Sequence, residues 1–97
     1  MVKCRRLQRV LIVFKSKEAI YVKDLERGDW YLFHRFFQRG NYSPWRDFRH
    51  RLYYYKTIGF RDVCRYAAKY NIDGMRPSST TYLKIEQMII NGEAEIL

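Results

Sequence analysis

Residues 30–56 hold eleven aromatic side chains, six Lys/Arg and a single acid, Asp47. Guanidinium groups grip phosphate oxygens through forked, charge-assisted hydrogen bonds. Tyrosine rings offer flat faces on which unpaired bases can stack. Interleaved in one stretch, the two residue types suit a polyanion that carries stackable rings. The side chains placed to do this are Arg35, Arg39, Arg46, Arg49, His50, Tyr53 and Tyr54, with Lys84 from a later segment. The same composition also describes a solvated face whose tyrosines lie flat over the edge of a core. The choice between the two depends on where the rings point.

Charge is unevenly distributed along the chain. The 97 residues carry a net charge of +9, and residues 1–56 supply all of it, with 14 Lys/Arg against 5 Asp/Glu. Residues 57–97 are neutral, with five of each sign. A sequence pI near 9.8 favours an acidic partner. Nucleic acid, DNA or RNA, is the first expectation. A protein partner or a homodimer is the second, because Tyr, Trp and Arg also anchor protein interfaces. A membrane surface is not expected, since no helix offers an apolar face that the core does not need.

Catalytic constellations are missing from the sequence. There is no glycine-rich phosphate loop, no Ser or Cys elbow and no paired carboxylates of obvious geometry. Asp29 with Glu26, and Asp62 with Asp73, are too ordinary to suggest a metal nuclease site. The chain is not expected to be an enzyme or to hold a cofactor. Cys4, Cys64, His34 and His50 include no two ligands within four residues of each other, so no metal site is expected. Two cysteines make no disulfide framework, and the short apolar run at 10–14 is no secretory signal. A reducing, cytoplasmic setting is the expectation.

The elements that would position the basic and aromatic residues follow from spacing. One domain spans 1–97, in which residues 1–9 read as a basic arm or frayed end. Residues 9–14 and 19–22 are β-branched runs around Ser16, Lys17 and Glu18, which predicts a strand–turn–strand. Asp29 can cap a helix over 30–39, ended by Gly40 and Asn41, with Trp30, Phe33, Phe36 and Phe37 on one face. Ser43 and Pro44 start the next helix, whose buried stripe would be Trp45, Phe48, Leu52 and Tyr55. Arg46, His50, Tyr53 and Tyr54 then lean outward. If the two helices form a hairpin across 40–42, their outer faces join into one basic, aromatic surface. Residues 30–37 and 51–58 are also rich in strand formers, but polar positions 34, 35, 38 and 39 fit helical period better than alternation.

After a break at 57–59, Phe60, Val63, Ala67 and Tyr70 mark another helix, closed by Asn71 and Gly74. Residues 75–79 read as a loop, and Ser78 or Ser79 caps a last helix to about Ile90, stopped by Asn91 and Gly92. Its wide apolar arc, Tyr82, Leu83, Ile85, Met88, Ile89 and Ile90, places it centrally in the core or against another subunit. The predicted fold is α+β but mainly α: a short N-terminal β-hairpin followed by about four helices.

Residues 59–91, GFRDVCRYAAKYNI and then SSTTYLKIEQMIING across a turn, loosely resemble a helix-turn-helix, with Ala67, Ile72 and Ile85 at the usual apolar positions. The resemblance implies DNA contact through the second helix, with Ser79, Thr80, Thr81 and Lys84 at base edges and Gln87 further along. The sequence thus leads to a small basic nucleic-acid-binding protein, of which a regulator is one kind. The alternative is a protein–protein interaction module, an adaptor or inhibitor, that uses the same Tyr, Trp and Arg side chains.

Overall fold

β-Branched residues crowd their own helical turn but pack well on a pleated surface, and the VLIVF run of the N-terminal half forms a strand accordingly. In the computed structural model, which describes residues 10–39, 44–55, 59–93, 95 and 96, this is β1 (Val10–Phe14). It pairs antiparallel with β2 (Ala19–Asp24), from Val10 opposite Asp24 to Phe14 opposite Ile20. Lys15 and Ser16 amides donate to the Ala19 carbonyl and close the turn. The predicted hairpin is present. The basic arm at 1–9, with Cys4, lies outside the described residues.

The mainly α expectation is overturned. Residues 29–38 form a strand, β3 (Asp29–Gln38), paired along β2 from Ala19 opposite His34 to Asp24 opposite Asp29. Gly28, at φ 79°, takes the left-handed conformation that the β2–β3 turn needs, and its amide donates to the Asp24 carbonyl at 2.6 Å. Asp29 therefore opens a strand and does not cap a helix. The helical reading arose because β3 is covered on both faces. Tyr31 and Phe33 turn to one layer, Trp30 and Leu32 to the other. A strand covered on both faces shows a continuous apolar run, and its period of two disappears.

Among the described residues, two more strands complete the sheet. β4 (Ile72–Met75) stands where a helix end and a loop were predicted, and β5 (Glu95–Ile96) pairs with Val13 and Phe14. The order is β4-β3-β2-β1-β5, and every neighbouring pair is antiparallel. Gly74 sits opposite Phe33 because nothing larger fits. A Cβ there would fall 2.6 Å from Phe33 Cε1 and 2.8 Å from the Tyr31 ring.

Among the described residues three helices cover the sheet, where about four were predicted. α1 (Pro44–Tyr55) and α2 (Phe60–Lys69) lie on one face, where Trp45, Phe48, Leu52, Val63 and Ala67 pack on Val10, Ile12, Phe14, Ile20, Val22 and Phe33. α3 (Ser79–Ile90) lies on the other, with Ile85 against Val13, Ala19, Tyr21 and Trp30. α2 and α3 are thus on opposite sides of the sheet with β4 between them in sequence. The helix-turn-helix is not formed.

The helix predictions at 44–55 and 60–70 hold in outline. Trp45, Phe48 and Leu52 form the buried stripe of α1; Tyr55's side chain, Ser43 and the breaks at 40–41 and 57–58 lie outside the described residues. Asn71, at φ 59°, ends α2. α3 runs as predicted, with the Thr81 amide donating to the Ser78 hydroxyl at its start. Its wide arc is only partly used: Leu83 and Ile90 are 71% and 75% exposed. Among the described residues, no helix is long and apolar enough to cross a membrane.

Candidate functional site

Burial of Trp45, Phe48 and Leu52 fixes the rotation of α1 about its axis. At about 100° per residue, two rows at four-residue spacing follow, one on the side opposite the stripe and one on its flank. One row is Arg46, His50 and Tyr54; the other is Arg49 and Tyr53. Cations thus occupy the N-terminal part of each row and phenol rings the C-terminal part. These five residues line a cleft of about 310 Å³.

The rings form a chain of contacts. His50 lies 4.4 Å from Tyr54 with planes tilted 40°, and Tyr53 meets Tyr54 nearly edge-on at 5.5 Å. Tyr53 in turn leans on Phe14 at 5.7 Å. Tyr53 is 44% exposed and Tyr54 65% exposed. Tyr53 is therefore anchored to the sheet, whereas Tyr54 is displayed and held in place from its flanks.

The three arginines of α1 have different surroundings. Arg46 is exposed and has no carboxylate partner among the described residues. Arg49 stacks its guanidinium 5.0 Å from the Phe14 ring and donates from Nη2 to the Ser16 carbonyl at 3.2 Å. Its Nε is buried without an acceptor among the described residues. Arg51 points away from the cleft to α2, over the Tyr66 ring at 4.3 Å and onto the Tyr70 hydroxyl at 3.3 Å. Asp47, exposed, is the one acid on the helix, and no carboxylate lines the cleft.

The β1–β2 turn enlarges the cationic surface. Trp45 Nε1 donates to the Lys17 carbonyl at 2.7 Å, and Arg49 holds the Ser16 carbonyl, so the turn is pinned beside the N-terminal half of α1. Lys15 and Lys17 are exposed there, and neither has a carboxylate partner among the described residues. Sequence reading missed both as site residues. Two lysines around a serine in a hairpin turn are ordinary, and the contact that matters joins residues 28 apart.

Of the eight residues singled out from sequence, Arg46, Arg49, His50, Tyr53 and Tyr54 come together. Arg35 lies next to the same turn, where its amide donates to the Glu18 carbonyl at 2.9 Å and its guanidinium stands 3.9 Å from the Glu18 carboxylate. Arg39 pairs with Asp73 at 3.5 Å and lines a separate cleft beside Cys64. Lys84 is on α3, across the sheet. The imagined joining of two outer helix faces does not occur, because 30–39 is a strand. Tyr31 packs edge-on against Phe60 at 5.3 Å.

The chemistry within reach is binding. Arg46, Lys15 and Lys17 can meet phosphates, and Tyr54 can stack. Elsewhere, burial pushes the Cys64 thiol above its ordinary pKa, with the Asp24 charge adding to the shift, which disfavours a reactive thiolate. Among the described residues no group of three His, Cys, Asp or Glu is arranged to hold a metal ion. No family model matches the chain, and neither does any curated protein or solved structure.

Proposed function

We propose that the chain is a small nucleic-acid-binding protein that engages phosphates with the outer face of α1 and the adjoining β1–β2 turn. The observation that carries this reading is the convergence of Arg46, Arg49, His50, Tyr53 and Tyr54 on one cleft with no carboxylate in its lining. Lys15 and Lys17 stand beside it. The net charge of +9 adds long-range attraction. The protein-partner reading has less to rest on. Leu83 and Ile90 are exposed on α3, but Thr80, Lys84, Gln87 and Asn91 share that outer surface, and isolated exposed aliphatics are normal on soluble domains.

Arg46, Lys15 and Lys17 are the cations to test, because they are exposed and their charged ends have no carboxylate partner among the described residues. Arg35 and Arg39 already face carboxylates, and Arg49 braces the turn. The experiment is fluorescence anisotropy of labelled mixed-sequence oligonucleotides over a salt series, comparing the parent protein with a triple Lys15→Ala, Lys17→Ala, Arg46→Ala variant. The slope of log K against log salt should fall in magnitude by about 0.7 per lost phosphate contact on single strands, or about 0.9 on duplex. Thermal stability should be unchanged. An unaltered affinity and slope would reject this surface.

A further inference from the structure

Resting on the reading of this face as a nucleic-acid site, we infer that its ligand is an unpaired strand, with Tyr54 as the ring on which a base stacks. Phosphate contacts alone would not distinguish a single strand from a duplex, since both present the same charged groups. The distinction comes from the C-terminal half of the rows. Tyr54 is the more exposed of the cleft's two phenol rings, and Tyr53 and His50 hold it on two sides. Tyr53 is itself fixed on Phe14, a buried residue of β1. A displayed ring with its orientation already set loses little freedom when a base lies on it.

A duplex cannot use that arrangement. Its bases are stacked on one another and offer only their edges in the grooves. A helix that reads those edges needs side chains such as Asn, Gln or Arg along its exposed side. α1 carries neither Asn nor Gln; of its arginines, Arg49 braces the β1–β2 turn and Arg51 is turned to α2, which leaves Arg46 alone for such a role, and the exposed side ends in tyrosines. The β1–β2 turn is also pinned beside the helix's N-terminal half, so that half of α1 does not stand clear of its surroundings as a groove-entering helix must. From Arg46 to Tyr54 the row spans roughly 12 Å. That length lets a strand lie along α1 with its phosphates toward Arg46 and one base turned onto Tyr54.

The test compares a labelled oligothymidylate of roughly 15 nucleotides with a blunt duplex of equal length, in the same buffer, for the parent protein and for Tyr54→Ala and Tyr54→Phe. The parent should prefer the single strand by on the order of 10-fold or more. Tyr54→Ala should lose that preference, its single-strand affinity falling far more than its duplex affinity, while its melting temperature stays as in the parent. Tyr54→Phe, which keeps the ring and drops the hydroxyl, should retain it. Equal binding to both ligands by the parent, or no change in Tyr54→Ala, would overturn the inference and leave the phosphate-binding reading standing. Failure to bind either ligand at low salt would overturn both.

Discussion

At the scale of single residues, identical side chains serve different ends according to what surrounds them. Arg46, Arg49 and Arg51 lie within six positions of each other, yet one is displayed, one props a turn and one ties two helices together. Glu86 is another case. It reads as the acid of a nearly neutral helix, but Lys23 Nζ donates to its Oε2 at 2.9 Å and Trp30 Nε1 donates to the same oxygen at 3.1 Å. The Lys23 hydrogen bond holds the carboxyl below its ordinary value near 4.5, against partial burial, with Trp30 adding to the effect. The folded carboxyl is then a stronger acid than the unfolded one. Its stabilisation is complete above the unfolded value and is lost as pH falls below 4.5 through the folded one. The two side chains are 25% and 42% exposed, so water screens the pair and the effect is small. Melting temperatures measured down the acid range should therefore fall less steeply in Glu86→Gln than in the parent. Parallel acid limbs would show that Glu86 is not part of that dependence.

At the scale of elements, the helices and the β1–β2 hairpin were legible, and β3 and β4 were not. α1, α2 and α3 each bury one stripe and wet the other, so their period of 3.6 survives in the sequence. β3 and β4 carry no such signal. β3 is apolar toward both layers, and β4 is four residues long with a glycine in it. Gly74 reads from sequence as a helix terminator, but in the fold it makes room for the rings of Phe33 and Tyr31. Phe33 is 1% exposed and locked edge-on against Phe48 at 5.4 Å, so it cannot retreat from an added methyl. Gly74→Ala should cost about 1–3 kcal/mol of stability, read from the midpoint of urea unfolding. A midpoint equal to the parent's would mean that the β3–β4 pairing gives way easily at this position.

At the scale of the whole molecule, the sheet separates two surfaces that the sequence alone does not keep apart. Lys84 was grouped with the arginines of α1, yet α3 carries it on the opposite face. Lys84→Ala should leave both oligonucleotide affinity and its salt slope at the parent values. A slope reduced as much as by Arg46→Ala would point to attraction by net charge and not by one face.

The sequence by itself determined the basic, aromatic character of the first half, the hairpin at its start, the three helices and the outward lean of Arg46, His50, Tyr53 and Tyr54. Each of these depends on neighbours within about a dozen positions, where composition and period carry the information. Tertiary structure alone decided that residues 29–38 are a strand, that α2 and α3 lie on opposite sides of the sheet and that Lys15 and Lys17 stand beside α1. Those outcomes rest on contacts between distant segments, such as Trp45 with the Lys17 carbonyl and Trp30 with Glu86. A strand covered by helices on both faces loses the alternation that would announce it, so only the packed layers reveal where its side chains go.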